Sequence, residues 1–566
     1  MMIETITLKT IAYFSMEVAL ASHIPTYSGG LGVLAGDTLR SAADLGLPLV
    51  GVTLLQRKGY FFQRLDADGR QHEEPVAWPV DDFLQLMDAT CQVEVEGRPV
   101  TVRAWRYRIP GVFGAEIPVY LLDTDVSGND PFDRSLTDYL YGGDARYRLC
   151  QEVILGIGGV RMLRALGYDN VGRFHMNEGH AALLALELLA EELHHTPDKP
   201  AEAAERVKRQ CVFTTHTPVP AGHDQFPLEL ASGVLGSERL KALHALGCCD
   251  TVLNMTLVGL LMSHYVNGVT RRHGEVSRSM FPGYPIGSIT NGVHSVTWTA
   301  PEFQRLYDRY TPDWRQDSFA LRYSLGIPLE AIRQAHAETK QRLVQEVNRQ
   351  LNAGFDHDFF TIGFARRATA YKRPTLLLYD LERLRRIARQ HGPLQLVFAG
   401  KAHPRDEAGK ALIEQIVQRG KALLPEVKLA YLANYDMELG QLLTAGVDLW
   451  LNTPQPPYEA SGTSGMKAAH NGVPSLSVLD GWWLEGHVEG VTGWAIGSRE
   501  RGPSVATQDA KDAQDLYQKL EHIILPLYRG DSLRWAEVMR STIALNASFF
   551  NTQRMLTEYT IYAYRN

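Results

Sequence analysis

The sequence predicts an α/β fold of two doubly wound, parallel-sheet parts, the first carrying an antiparallel β insertion. Three observations point there. Between residues 359 and 478, five apolar runs alternate with helical stretches. Residues 10–55 read as strand, glycine loop, helix, strand. A chain of 566 residues is also too long for one core, at about 100–200 residues per domain.

Residues 10–16 form the first apolar segment, which ends in Glu17. A loop with His23, Pro25 and Tyr27 leads to Ser28-Gly-Gly-Leu-Gly32. A helical pattern then runs to about Leu45, and 47–55 is the next buried strand. This is a βαβ unit. Gly30-Leu-Gly-Val-Leu-Ala35 has the form of a dinucleotide fingerprint. However, the glycines lie about a dozen residues beyond the strand, and the second strand runs into Gln56-Arg57 where a ribose-binding acid is needed. A nicotinamide site is therefore not expected, and the glycine loop reads as a place where backbone approaches another anion.

From 60 to 120, runs such as Cys91-Gln-Val-Glu-Val-Glu96 alternate, with Glu96-Gly97 as a turn; this is the antiparallel insertion. Helical periodicity returns over 143–166, and Phe174-His-Met-Asn-Glu-Gly-His180 reads as the opening of another helix. Residues 211–217 make a strand ending in polar side chains, followed by Pro218, Pro220 and Gly222. A long helix contains 253–261, and Ser263-His-Tyr-Val-Asn-Gly-Val269 and the run from Ile286 to His294 close this part. The more polar segment 301–357 carries an amphipathic helix near 328–351 and is expected to connect the domains. Strands at 359–365, 394–399, 427–432, 447–451 and 474–478 alternate with helices, the pattern of a doubly wound sheet that binds ligands at its carboxyl edge. The expected division is 1–300, a connector 301–357, and 358–566 with terminal helices.

Net charge is −7, which provides no basic field, so nucleic acid is not expected as a partner. The five cysteines (Cys91, Cys150, Cys211, Cys248, Cys249) show no C-x-x-C pairing and read as free thiols in a reducing compartment. With no leader-like N-terminus and no long apolar run, the expectation is a cytoplasmic protein without membrane spans. No metal site is expected.

Two stretches carry the chemistry. Glu459-Ala-Ser-Gly-Thr-Ser-Gly-Met-Lys467 links a buried strand to a short helix; small residues at a helix start can cradle an anion, and Lys467 adds an amine nearby. The order Gly465-Met466-Lys467-Ala468 lacks the Gly-Lys-hydroxyl sequence of a nucleotide P-loop. At the end of strand 359–365 stand Arg366, Arg367, Lys372 and Arg373. Their mutual repulsion is relieved by a bound anion such as phosphate or sulfate. Polar residues recur at strand ends (His216 and Thr217, His264 and Asn267, Asn291 and His294, Asn434 and Tyr435), which argues for one cleft between two domains. Trp298, Trp482 and Trp483 suit sugar stacking or a core.

Across most of its length the chain resembles the α-glucan phosphorylases, the glycogen and maltodextrin phosphorylase family, in a short form. The resemblance rests on Tyr13-Phe-Ser-Met-Glu17, Gly29-Gly-Leu-Gly32, His264-Tyr-Val-Asn-Gly-Val269, Thr290-Asn-Gly292, Tyr371-Lys-Arg373 and, most specifically, the Glu459–Lys467 stretch. It implies two Rossmann-like domains facing a cleft (the GT-B arrangement), pyridoxal 5'-phosphate as cofactor, and phosphorolysis of a terminal α-1,4-linked glucose to glucose 1-phosphate with retention. The partners it implies are an α-1,4-glucan or maltooligosaccharide and inorganic phosphate; a homo-oligomer is compatible with it.

Residue by residue, the resemblance gives Lys467 the cofactor aldehyde. Thr463, Ser464 and Arg366 take the cofactor phosphate, with Tyr435 and Trp298 lining the pocket. Arg367, Lys372 and the backbone of Gly30 hold the substrate phosphate. Glu459, Ser461, Gly462, Asn291, Leu31 and His264 contact the glucosyl unit, His264 through its carbonyl. Nucleotide-sugar glucosyltransferases of the same fold often carry a second glutamate eight positions after the first, where this chain has Lys467. That enzyme class and a non-catalytic glucan-binding protein are the alternatives. Three departures stand out: Arg366 replaces a lysine, Thr369-Ala370 replaces His-Glu, and Asp436 replaces an arginine. Because the chain is shorter than animal or plant phosphorylases, their regulation and dimer interface do not carry over.

Overall fold

In the computed structural model the Val-, Ile-, Leu- and Phe-rich runs form two separate sheets, whose parallel strands are buried on both faces while the antiparallel edge of the first alternates buried and exposed residues. The structure describes residues 8–219, 222–245, 247–248, 251–498 and 504–565. Two compact units result: Met1–Phe61 with Pro75–Thr290 and Met555–Asn566, and Phe62–Glu74 with Asn291–Arg554.

The sheet of the first unit has nine strands. From one edge they are Gly287–Ser288, Tyr265–Gly268, Cys211–Thr214, Val171–Asn177, Thr10–Phe14, Leu49–Leu54, Glu116–Asp123, Arg98–Pro110 and Gln85–Val95. Pairing is parallel as far as Glu116–Asp123 and antiparallel beyond it, so the predicted insertion extends one edge of the parallel sheet. One face packs around Phe14, Val52, Ile154 and Leu184, the other around Leu34, Leu39, Val119 and Leu556. Phe174-His-Met-Asn177 lies in a strand and does not open a helix; the next α-helix begins at Leu184. Likewise the helix expected over 253–261 is Met255–Leu261, preceded by a short strand, Val252–Asn254.

The second unit holds six parallel strands in the order Val427–Leu432, Leu394–Ala399, Phe360–Ala365, Leu449–Asn452, Ser475–Val478 and Gly493–Ile496. The last was not anticipated.

Three segments belong elsewhere than the expected division put them. The Phe62–Glu74 hairpin groups with the second unit although its flanks lie in the first. Residues from Met555 onward group with the first unit, where the Tyr564 hydroxyl meets His175 Nδ1 at 2.6 Å and Asn267 Nδ2 donates to the Tyr559 hydroxyl at 3.0 Å. The helix Leu329–Leu351, expected in a connector, is an integral layer of the second unit. Its Lys340 reaches Asp448 Oδ2 at 2.5 Å and its His336 reaches Oδ1 at 3.0 Å, while Thr361 N–H donates to Oδ2 at 2.8 Å. Among the described residues, no helix is long and apolar enough to cross a membrane. Cys91, Cys150 and Cys211 are free thiols, Cys248 is buried, and Cys249 and Pro220 lie outside the described residues.

Burial pushes the Asp448 carboxyl up, but the charges of Lys340 and His336 outweigh it and hold the group below the usual carboxylate range. A lowered folded-state value stabilises above the unfolded pKa of about 3.9 and is lost as pH falls through the folded value. Asp448→Asn leaves Lys340 buried without a counter-charge. Denaturant unfolding at pH 7 is expected to show a loss of about 3–5 kcal/mol. The gap to the unmodified protein is expected to narrow as pH drops below about 4.

Candidate active site

The loops at the carboxyl ends of the second unit's strands bring Arg366, Lys372 and Glu459 together. Glu459, 7% exposed, follows strand Leu449–Asn452. Its Oε2 accepts from Arg366 Nη2 at 2.6 Å and from Lys372 Nζ at 2.8 Å, and its Oε1 lies 3.0 Å from Lys372 Nζ. Burial pushes this carboxyl up, but the two cations override that effect and hold it below its ordinary value. Its backbone is fixed as well: Glu459 N–H donates to Asp480 Oδ2 at 3.0 Å, and Trp482 N–H donates to Ser461 O at 2.9 Å. Gly462, at φ +82°, lets the chain fold back over the Glu459 carboxylate.

Of the four cations after strand Phe360–Ala365, Arg373 points away from this cluster. Its guanidinium donates to the carbonyls of Thr453 and Pro454 and pairs with Asp509 and Asp512, anchoring the loop that carries Lys372. Arg367 is exposed and has no side-chain partner among the described residues. Arg366 Nη1, Thr369 Oγ1, Ser461 Oγ and Asn291 Oδ1 are buried and likewise lack hydrogen-bond partners among the described residues. Buried polar atoms of this kind call for a ligand or water.

Lys467 lies in the short helix Ser464–Ala469 and is 6% exposed; its Nζ sits 3.7 Å from the centre of the Trp298 ring. Asn471 Nδ2 donates to both Trp298 O and Lys467 O, tying the two together. Tyr435 and Trp298 meet across Gly440, where a Cβ would stand 2.9 Å from the Tyr435 hydroxyl and 3.5 Å from Trp298. Burial raises the Tyr435 phenol; the neighbouring Asp436 adds to this and Arg366 opposes it, so Tyr435 adjoins the same charged cluster. The Ser464 hydroxyl accepts from Trp450 Nε1 at 3.1 Å, so it is partly committed to the sheet. Asp436 caps the helix Met437–Gly446 through Leu439 N–H at 2.9 Å. Burial raises its carboxyl, against the pull of Lys401; burial in turn lowers Lys401 to about 8, with Asp436 opposing. The reversed charge at 436 therefore has a structural use and a cation beside it.

In the first unit, Gly30 and Leu31 open the helix Gly30–Asp44 beyond strand Thr10–Phe14. Ser28 and Gly29 N–H donate to Glu17 Oε2 at 2.6 and 3.2 Å, so a protein carboxylate already holds those amides. Gly30 is exposed, with nothing within 4 Å of where a Cβ would point, leaving its backbone open to approach.

His264 does not share this edge of the sheet. It precedes strand Tyr265–Gly268, donates its N–H to Cys211 O at 3.1 Å, and neighbours Arg173 and the Ala563 carbonyl. Strand direction thus places it at the amino edge, away from the edge where α/β sheets bind ligands. His216 does lie at the carboxyl edge, after Cys211–Thr214. Its Nε2 meets Asn177 Oδ1 at 2.6 Å, and its N–H donates to Glu178 Oε2 at 2.7 Å. Thr217 Oγ1 and Gly179 N–H also donate to Glu178, which holds a positive φ of +80°. Such strain in a non-glycine residue is kept where the surroundings over-determine it, often at functional sites. Burial drives the His216 imidazole down to about 4, so it is neutral at physiological pH. His216 was visible in the sequence as a strand-end polar residue; its pairing with Glu178 was not.

A family model for carbohydrate phosphorylases matches residues 236–523, a span containing Arg366, Lys372, Glu459 and Lys467. Among curated relatives, the maltodextrin phosphorylase of Thermococcus litoralis is 39% identical over 591 aligned residues, which cover 97% of this chain and 70% of that protein. The glycogen phosphorylase of Mycobacterium tuberculosis is 38% identical, covering 98% of this chain and 70% of the relative. That of Aquifex aeolicus is 35% identical, covering 97% and 85%. A buried carboxylate between two cations, a buried lysine eight residues on, and similarity along nearly the whole chain agree: the protein belongs to the carbohydrate phosphorylase family.

Proposed function

We propose that the protein is an α-1,4-glucan phosphorylase that releases the terminal glucose of a glucan or maltodextrin as glucose 1-phosphate, with retention of configuration. The observation that carries this is Glu459 held between Arg366 and Lys372, with Lys467 buried eight positions along the chain. A nucleotide-sugar donor is not favoured, because Lys467 stands where such enzymes often carry a second glutamate.

The residues fit pyridoxal 5'-phosphate. Lys467 offers a buried primary amine beside an aromatic wall of Trp298 and Tyr435, and Gly440 keeps that wall free of a side chain. Arg366 Nη1 is a buried cationic donor still lacking an acceptor among the described residues, as a phosphate site requires. Lys467, Arg366, Thr463 and Tyr435 would hold the group, with Ser464 contributing less because Trp450 engages its hydroxyl. Once bound, the cofactor supplies a phosphate acid next to the substrate phosphate.

The chain's own residues have two tasks. Two phosphates in contact repel strongly in a partly desolvated site, and Arg366, Arg367 and Lys372 offset that repulsion, the fixed charges needing no reorganisation during reaction. Glu459, with Ser461 and Asn291, offers acceptors for sugar hydroxyls. Its carboxylate stays ionised because the same cations lower its pKa. A single carboxylate therefore orients both the cations and the sugar.

Phosphate-dependent release of glucose 1-phosphate from maltooligosaccharides, with the cofactor's near-ultraviolet absorbance in the same sample, tests the assignment. Elongation from a nucleotide-glucose donor without phosphate dependence would overturn it. Lys467→Ala is expected to abolish turnover while leaving the circular dichroism spectrum intact, and Lys372→Ala to lower kcat by about 10²–10³-fold.

Glu459→Gln removes the internal counter-charge of Arg366 and Lys372. Millimolar inorganic phosphate is then expected to raise the Tm of this variant more than that of the unmodified protein, since an anion that binds only the folded state stabilises by mass action. Equal shifts in the two proteins would show that the cations do not form an anion site.

A further inference from the structure

The Phe62–Glu74 hairpin is an unusual component of the second unit, since it comes from the N-terminal half of the sequence and contributes little apolar surface. Its strands are Phe62–Leu65 and Gln71–Glu74, and Phe62 is 38% exposed. A lone two-stranded hairpin is marginal in water, so its conformation depends on docking. At the rim, Lys410 pairs with Glu73 and Lys421 with Asp68, each at 3.1 Å, while Arg70 lies 3.4 Å from Glu414. The exposed pairs among these, Lys421–Asp68 and Arg70–Glu414, add little individually.

The specific contacts are made by two buried amides. Gln63 is fully buried. Its N–H donates to Asn434 Oδ1 at 3.2 Å, and its Oε1 accepts from Asn434 N–H at 2.9 Å. Its Nε2 donates to Gly400 O at 3.0 Å and to Gln71 Oε1 at 2.8 Å. Gln71, 7% exposed, donates from Nε2 to Ala402 O at 3.0 Å and accepts at Oε1 from Ala402 N–H at 2.9 Å. Together they engage two loops, those after strands Leu394–Ala399 and Val427–Leu432.

Both loops support residues assigned above to the cofactor pocket. Arg366 N–H donates to Ala399 O and Ala368 N–H to Lys401 O, each at 3.1 Å, so loop 399–402 is the sill under Arg366. Gly400 holds a φ of +137°, and a Cβ there would stand 1.9 Å from Arg366 O, so the two segments are in direct backbone contact. Asn434, at φ +53°, immediately precedes Tyr435 and the helix cap Asp436. One pair of glutamines thus sets the height of Arg366 on one side and the direction of Tyr435 on the other.

We propose that the hairpin is a clamp for the cofactor-phosphate loops, with Gln63 and Gln71 as positioning residues for pyridoxal 5'-phosphate binding. The proposal rests on the phosphorylase reading. It assigns the hairpin's polar contacts to the site and its salt bridges to mere attachment.

The test uses the full chain stripped of cofactor and titrated with pyridoxal 5'-phosphate and, separately, with pyridoxal, followed by absorbance. Gln63→Ala and Gln71→Ala are each expected to weaken binding of the phosphorylated form by about 10- to 100-fold, the scale typical when outer partners of a bound group are removed. Binding of pyridoxal, which lacks the phosphate, is expected to change little; a merely structural role would weaken both alike. Gln63→Asn keeps the amide but shortens its reach, and serves if an alanine variant fails to fold; an intermediate loss is expected. Hydrogen exchange in residues 399–402 and 433–436 should rise in the same variants. Unchanged affinity for pyridoxal 5'-phosphate in both alanine variants, or equal loss for both ligands, overturns the clamp alone. Failure of the unmodified protein to bind the cofactor overturns the phosphorylase reading and the clamp with it.

Discussion

The second unit is organised around a charge that has nowhere else to go. Glu459 is buried with Arg366 and Lys372 within 2.8 Å of one oxygen. Buried charges carry a desolvation penalty of several kcal/mol each, so such a group persists only with close partners and satisfied neighbours. That requirement fixes three stretches of backbone at once. Arg373 ties the Lys372 turn to the carbonyls of Thr453 and Pro454, Asp480 ties Glu459 N–H, and the Ala399 carbonyl ties Arg366 N–H. Each member of the cluster is therefore positioned by a polar contact other than the ion pairs themselves.

The parallel sheet of the second unit was readable because its strands are buried on both faces and appear as unbroken apolar runs. Gly493–Ile496 escaped because four residues between glycines carry no periodicity. Strand Val171–Asn177 reads in the sequence as the opening of a helix, because a short apolar run that leads into helical periodicity does not separate strand from helix. The positive φ of Glu178 that turns the chain there leaves no mark in residue type. The hairpin's antiparallel character was legible, but its allegiance to the second unit was not. Local pattern reports whether a segment is half-buried, whereas allegiance is decided by Gln63 and Gln71 meeting loops more than 300 positions away.

The site divides along the same line. The Glu459–Lys467 spacing and the basic run were legible, and the resemblance supplied their roles. Choosing among four adjacent cations required knowing that Asp509 and Asp512 lie behind Arg373. Choosing among histidines required strand direction: His264 stands before its strand and His216 after its own, a difference of edge that composition cannot encode. Asp436 looked like a reversed charge in a phosphate pocket. In place, it is a helix cap with Lys401 as its electrostatic neighbour, so the local balance changes less than the residue swap implies.

What remains unpaired carries the functional argument further than what is paired. Arg366 Nη1, Thr369 Oγ1, Ser461 Oγ and Asn291 Oδ1 are buried without hydrogen-bond partners among the described residues. Each such atom costs about 1–3 kcal/mol relative to a satisfied one. In the same loops, neighbouring groups are satisfied: the Trp482 N–H at 2.9 Å from Ser461 O, and both carbonyls at Arg373. A chain that completes those bonds yet leaves donors and acceptors open within a few residues has unmet hydrogen-bonding capacity concentrated beside the Glu459 cluster, the capacity the phosphorylase proposal assigns to phosphate and sugar hydroxyls. Regions where local polar satisfaction fails amid otherwise consistent packing are where function opposes stability. Here that opposition falls on the residues that a glucan and phosphate would meet.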